Sequence, residues 1–159
     1  MARRPLTLTL TAVLVVAAAA AAWFGYRWNE HRVADQARAE AVTAACQAMK
    51  NFMEVNPARL DTDMQRVADG ATGDFKAEFE DDRATLRKTY QEKTIEAHGE
   101  VLAAAADARN SDRDSVRVLL VVDQNVTAGT SSQFRHYRLQ LDMVAEGDRW
   151  LVSTLSFVS

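Results

Sequence analysis

Residues 116–126 read VRVLLVVDQNV, and this stretch predicts the architecture of the second half of the chain. Apolar side chains occupy every second position from Val116 to Val122, and a period of two is typical of a β-strand with one buried face. Similar runs on both sides are separated by short turn-like links, which favour antiparallel neighbours. The four predicted strands cover Thr94–Ala106, Ser115–Thr127, Gln133–Ala145 and Arg149–Val158.

The residues before these strands have the spacing of helices. From Asn29 to Val55, small and apolar residues recur every three or four positions, and Asn56-Pro57 ends the pattern because the residue before proline avoids helical dihedral angles. Two further helices are predicted, Asp61–Ala68 with Asp61 as its cap and another from Thr72 or Asp74 to about Gln91. The stripe of the first helix comprises Val33, Ala37, Ala41, Ala44, Ala48, Phe52 and Val55. The fold class is therefore α+β, with helices on one face of a four-stranded antiparallel sheet.

An uncharged apolar run, Leu6–Tyr26, precedes the helices. About 20 helical residues cross a bilayer core, so the run predicts a single membrane anchor. Four aromatic residues near its end favour the headgroup layer and are predicted interface residues: Trp23, Phe24, Tyr26 and Trp28. We expect residues 1–28 to form a cytoplasmic stub and anchor, and residues 29–159 the folded domain, with helix 29–55 as a candidate stalk.

A cleaved signal peptide is the alternative for this N-terminal segment. Arg3 and Arg4 form a basic start, and Ala17–Ala22 offers small residues for cleavage. The count of Lys and Arg on the two sides of the run does not decide which way an anchor would face.

Composition excludes several classes of function. Residues 27–159 carry 17 Lys and Arg against 22 Asp and Glu, a net charge of −5, and this balance argues against nucleic-acid binding. One cysteine, Cys46, cannot form an intrachain disulfide. Three scattered histidines have no metal-ligand spacing, and no Gly-rich phosphate loop or nucleophile elbow occurs, so no cofactor and no metal are predicted.

The ionisable residues of the strands are candidates for catalysis. Asp123 interrupts VRVLLVVDQNV and shares a face with Arg117, Leu119 and Val121, opposite the apolar face. It can be a general base, pair with an arginine of a neighbouring strand, or lie at the open end of the sheet. Alternation places His98 and His136 in solvent, while His31 lies next to the anchor.

Three segments, in this order and spacing, resemble the Mce-associated membrane proteins of actinobacteria: Asn56–Phe79, Val116–Gly129 and Gly147–Leu155. The resemblance implies a nuclear-transport-factor-2-like domain, a cone of helices over a curved sheet, outside the cytoplasmic membrane. It implies Mce-complex proteins of a lipid-import system as partners and an accessory role without catalysis.

Three functions follow for testing. The first is a non-enzymatic, membrane-anchored accessory protein that assembles or stabilises an Mce-type complex. The second is a module that binds a lipid or another small apolar ligand in the cone, unless the same side chains fill the core completely. The third is a pocket enzyme that uses Asp123. The predicted pocket-lining residues are Phe79, Tyr90, Tyr137, Leu139, Leu141 and Met143.

Overall fold

The computed structural model describes the backbone of residues 4–158 and the side chains of Ala21, Trp23, Arg27, Trp28 and residues 32–158. Three helices precede four strands. The helices are α1 (Arg4–Met53), α2 (Leu60–Asp69) and α3 (Gly73–Glu92), with a short 3-10 turn at Pro57–Arg59 between the first two. The strands are β1 (Ile95–Ser111), β2 (Ser115–Ala128), β3 (Ser131–Glu146) and β4 (Arg149–Phe157).

The chain divides into two compact units, Met1–Gln36 and Ala37–Ser159. The predicted anchor Leu6–Tyr26 falls in the first unit, where most side chains lie outside the described residues. Among the residues that are described, no helical segment combines the length and apolar character needed to cross a bilayer. The anchor therefore stays a prediction.

The strands form one sheet in the order β1-β2-β3-β4, and every neighbouring pair is antiparallel. Two tight links contain a glycine with positive φ, Gly129 at 59° before β3 and Gly147 at 65° before β4. Glycine has no Cβ and adopts this conformation without steric cost. The predicted α+β architecture, with helices on a four-stranded antiparallel sheet, is confirmed.

One face of the sheet is covered by the helices. On β2, Val116, Val118, Leu120 and Val122 are buried, and the residues that alternate with them are more exposed. Leu139, Leu141 and Met143 bury the same face of β3. We call this side the covered face and the opposite side the open face. The predicted alternation of both strands is confirmed.

The buried side of α1 departs from the predicted stripe after Ala41. Ala44 and Ala48 are only half buried, and Phe52 is 36% exposed. Burial of methionine removes more apolar surface from water than burial of alanine, and the helix presents its methionines to the sheet instead. The buried residues of α1 in this domain are Ala37, Ala41, Ala45, Met49 and Met53.

Two local predictions were wrong. Asp61 does not cap α2, because the 3-10 turn leads directly into the helix and Arg59 takes the cap position without a side-chain bond. β1 does not end at Ala106 but continues to Ser111. The Asp107 carboxylate accepts hydrogen bonds from the Arg109 backbone and the Asn110 side chain, and this local irregularity lets pairing with β2 resume at Ser111.

The end of α1 is held against β1 at very short range. Val55 and Ala97 exchange two backbone hydrogen bonds of 2.9 Å. Next to them, a Cβ built on Gly99 would lie 2.5 Å from Cβ of Met53, which is buried. Only a residue without a side chain fits at this contact.

Substitution Gly99→Ala should therefore destabilise the domain by about 1–3 kcal/mol, because the added methyl group forces the helix and the strand apart. The control is Gly70→Ala, where the nearest atom would be 3.6 Å away and φ is −94°. Chemical denaturation of the full-length protein should show a lower midpoint for Gly99→Ala and an equal or higher one for Gly70→Ala. Equal midpoints for both variants would contradict the close contact.

Candidate functional site

An apolar cavity of about 200 Å³ lies on the covered face of the sheet. The end of α1 and the two residues that follow it form one wall, α2 and α3 form a second, and the sheet forms the floor. Methionine contributes three wall residues, and its flexible, polarisable side chain adapts to irregular apolar shapes. The apolar lining comprises Met49, Phe52, Met53, Val55, Leu60, Met64, Val67, Phe79, Leu86, Tyr90, Val122, Tyr137, Leu139 and Phe157.

The structure brings together four of the six side chains predicted to line a pocket. Phe79, Tyr90, Tyr137 and Leu139 lie on the cavity wall. The other two do not: Met143 is completely buried in the core beneath α1, and Leu141 borders a much smaller gap beside Phe75. The sheet floor is therefore open under Tyr137 and Leu139 and filled further along β3.

The helical side of the wall was not predicted from the sequence. Met49 and Met53 are one turn apart on α1, and Leu60, Met64 and Val67 form one face of α2. Their spacing is the helical signal that could have identified them. The spacing does not encode the distance between the helices and the sheet, and that distance leaves room for the cavity.

Four polar residues complete the wall: Asn51, Glu54, Asp63 and Gln124. Asp63 is 2% exposed, and its carboxylate accepts hydrogen bonds from the Asn56 backbone at 3.1 Å and from Arg66 at 3.1 Å. Buried carboxylates are stable only when paired in this way. Gln124 donates to the carbonyl oxygen of Met53 at 3.2 Å. These hydrogen bonds connect the segments that form the wall.

Tyr90 lies in the cavity wall, where its phenol is partly desolvated. Burial raises the pKa of its phenol above the ordinary value of 10.0. The direction follows from desolvation, which disfavours the phenolate. Tyr90 is therefore neutral at physiological pH and is suited to packing or to donating a hydrogen bond.

The open face carries the ionisable candidates for catalysis, Asp123, His98 and His136. Asp123 pairs across the strands with His136, and their side chains make a short contact between the carboxylate and Nδ1. On the neighbouring strand β1, Glu100 lies opposite Asp123. The arginine partner considered for Asp123 is replaced by this histidine. His98 and His136 are exposed, as alternation predicted.

The open face also presents an apolar patch. We define the open-face patch as Leu102, Ala103, Ala105, Leu119 and Val121, which lie on β1 and β2. Leu102 and Leu119 are 51% and 44% exposed. Ala103 stands opposite Val121, and Ala105 opposite Leu119, so the patch is continuous across the two strands.

Ion pairs border the open-face patch on two sides. Asp123 and His136 lie at one end, and Arg117 and Asp142 at the other. The Arg117 guanidinium donates from Nε and Nη2 to the two Asp142 oxygens at 2.7 and 3.1 Å, and the pair raises the pKa of Arg117. Two parallel bonds of this kind fix both side chains.

The remaining predicted site residues lie toward the N-terminus. Trp23 and Trp28 are 64% and 70% exposed. The side chains of Phe24, Tyr26 and His31 lie outside the described residues, and the interface role stays a prediction. Within the described part of the chain, no group of three or more His, Cys, Asp or Glu is arranged to hold a metal ion.

The cavity predicts that two buried valines of β2 differ in how much stability is lost when each is replaced by leucine. Val122 lines the cavity, whereas Val118 is fully buried away from it. Val122→Leu should change the free energy of unfolding by less than about 1 kcal/mol, and Val118→Leu should cost about 1–3 kcal/mol through overpacking. Denaturant titration of the full-length variants measures both. A larger loss for Val122→Leu than for Val118→Leu would show that the space is filled.

Comparison with solved structures supports the fold. The chain is similar to an IcmL-like type IV secretion system protein from Legionella pneumophila, with a TM-score of 0.62 and 11% identity, covering 76% of this chain and 91% of that one. The periplasmic domain of DotI gives a TM-score of 0.61 and 10% identity, covering 74% and 91%. At these identities the likeness establishes the architecture alone.

Sequence comparison identifies the family. The chain is 30% identical over 135 residues to the uncharacterized protein Rv1363c of Mycobacterium tuberculosis, covering 82% of this chain and 51% of that protein, so it spans about half of that relative's length. It is 29% identical to the outer membrane protein Rv1973 of the same species, covering 80% and 81%. A family model described as "Uncharacterized protein Rv1363c/MT1408-like" matches residues 5–159. The chain therefore belongs to the Rv1363c/MT1408-like family.

Proposed function

We propose that this chain is a non-catalytic accessory protein of the cell envelope, and that its open face binds a protein subunit of a membrane assembly. The observation that carries the proposal is the open-face patch. Its exposed leucines lie on a regular sheet and are bordered by ion pairs. An exposed apolar area with a polar rim is the usual composition of a protein–protein contact.

The rigidity of this surface supports a binding role. The patch lies on β1 and β2, and β2 is paired along its length with strands on both sides. The neighbouring Arg117–Asp142 pair is bidentate. A partner that binds such a face loses little entropy in ordering it.

The envelope location rests on the relatives and on the apolar N-terminal run. Two relatives of this chain carry the name outer membrane protein. Leu6–Tyr26 has the length of a single anchor. We place the folded domain on the extracytoplasmic side of the cytoplasmic membrane, and we take the partner to be a subunit of an Mce-type lipid-import complex, from the resemblance of Asn56–Phe79 and the two later segments.

We also propose that the protein is not an enzyme, because its ionisable pair and its cavity lie on opposite faces of the sheet. The ionisable pair Asp123 and His136 lies on the open face, where the histidine side chain is 50% exposed. The cavity lies on the opposite face of the sheet. Catalytic groups act most strongly where a substrate is enclosed and water is excluded, and here the two features are separated by the sheet.

A charge in the open-face patch should abolish partner binding. Ala105→Glu inserts a carboxylate opposite Leu119, whereas Ala84→Glu adds the same group to the exposed surface of α3. Tagged full-length protein is recovered from its native membrane in mild detergent, and co-purified proteins are quantified by mass spectrometry. We expect Ala105→Glu to lower partner recovery about tenfold or more, because a buried unpaired charge is costly, and Ala84→Glu to leave it unchanged.

Equal recovery with both variants would contradict the open face as the binding surface. Recovery of a different membrane complex would contradict the Mce assignment while leaving the accessory role intact.

Removal of the protein should lower the amount of its partner. A protein that binds the folded state of a subunit raises the apparent stability of that subunit by mass action. Deletion of the chain should therefore reduce the steady-state level of Mce subunits in the membrane fraction, and expression of the Ala84→Glu variant should restore it. Unchanged subunit levels after deletion would count against a stabilising role.

A further inference from the structure

The cavity on the covered face has a size that limits its occupant. Its volume is about 200 Å³. An engineered apolar cavity of about 150 Å³ holds a benzene molecule, whereas pockets for drug-sized ligands measure roughly 300–1,000 Å³. A fused-ring lipid does not fit in this space. One flexible segment of an alkyl chain does.

Phe157 marks the entrance of the cavity. Its ring contributes to the wall and is nevertheless 67% exposed. It packs edge-on against Tyr137, with ring centroids 5.6 Å apart. The aromatic pair therefore stands where the apolar interior meets solvent.

A cation lies at this entrance. Arg135 is two residues before Tyr137 on the covered face of β3, and its Nη1 donates a hydrogen bond of 3.1 Å to the Tyr137 hydroxyl. Its Nη2 donates to Oε1 of Gln133 at 2.8 Å. A guanidinium has five N–H donors, so these two bonds leave three for another acceptor.

The charges around the cavity are unevenly balanced. Each wall carboxylate has a basic partner: Asp63 pairs with Arg66 at 3.1 Å, and Glu54 with Arg59 at 3.7 Å. In the described part of the chain, by contrast, no carboxylate lies within ion-pair distance of Arg135, whose partners are a neutral phenol and a neutral amide. The uncompensated charge near the entrance is therefore positive.

We propose that the cavity binds one alkyl chain of an anionic amphiphile, with the chain between the methionines and Leu139 and the anionic head beside Arg135. A carboxylate or phosphate oxygen is the natural acceptor for the free guanidinium donors. This inference goes beyond the accessory role, because it concerns the covered face and requires no protein partner. A free fatty acid and an anionic phospholipid share the chemistry, and the test separates them.

The test is photolabelling of the full-length protein in lipid nanodiscs. The probes are a medium-chain fatty acid with a diazirine near its terminal methyl group, the corresponding fatty alcohol, and a phosphatidic acid with the same photoreactive chain. Labelled peptides are located by mass spectrometry. We expect labelling of the wall segments around Met53, Met64 and Leu139 by at least one acidic probe, and at least tenfold less by the alcohol. Preference between the two acidic probes identifies the source of the ligand.

Substitutions of two arginines on β3 distinguish binding of the anionic head group from a general effect of surface charge. Arg135→Gln should reduce labelling of the wall about tenfold, and Arg135→Lys should restore part of it. The control Arg138→Gln removes an exposed arginine that is opposite Val121 in the β2–β3 register, on the open face. Labelling of the wall in this variant should equal that in the unmodified protein. Leu139→Trp, which fills the cavity, should abolish labelling of the wall.

Three results would overturn the proposal. They are labelling confined to residues 6–26 with none in the wall segments, equal labelling by acid and alcohol, and equal labelling of Arg135→Gln and Arg138→Gln. The arginine variants decide the question even if Leu139→Trp does not fold, because Arg135 is exposed and its substitution leaves the core intact.

Discussion

The contact between the end of α1 and β1 is the constraint on which the rest of the domain depends. Met53 lies directly against the backbone of Gly99, and two hydrogen bonds between Val55 and Ala97 tie the chain to the strand beyond the helix. A helix held this closely cannot cover the whole sheet evenly. It fills the space above β2 with Met49 and Met53, and it leaves the space above Tyr137 to α2 and α3.

The cavity forms because different helices cover different parts of the sheet. α2 is short and contributes Leu60, Met64 and Val67 from one face, while α3 reaches the site with Phe79, Leu86 and Tyr90. Together they border the apolar space without filling it. An interior packed to ordinary density contains few voids larger than a water molecule, and this space of about 200 Å³ is well above that size.

The two faces of the sheet have separate properties because side chains alternate along each strand. The covered face holds the cavity and Arg135, and the open face holds the apolar patch with its ion pairs. The proposed protein partner and the proposed amphiphile therefore contact different residues. The alternation that buries Val122 also places Asp123 on the opposite side of the sheet from the cavity.

The sequence by itself determined the local elements: the order of helices and strands, the alternation of β2 and β3, and the exposure of His98 and His136. These depend on periodicity and turn residues within a few positions of each other. Only the tertiary structure decided which residues meet across the domain. The register of the strands pairs Asp123 with His136. The shift of the α1 stripe to Met49 and Met53 depends on how closely the helices approach the sheet. That distance is set by side-chain volumes at contacts such as Gly99 with Met53, which are far apart in the chain, and no local pattern encodes it.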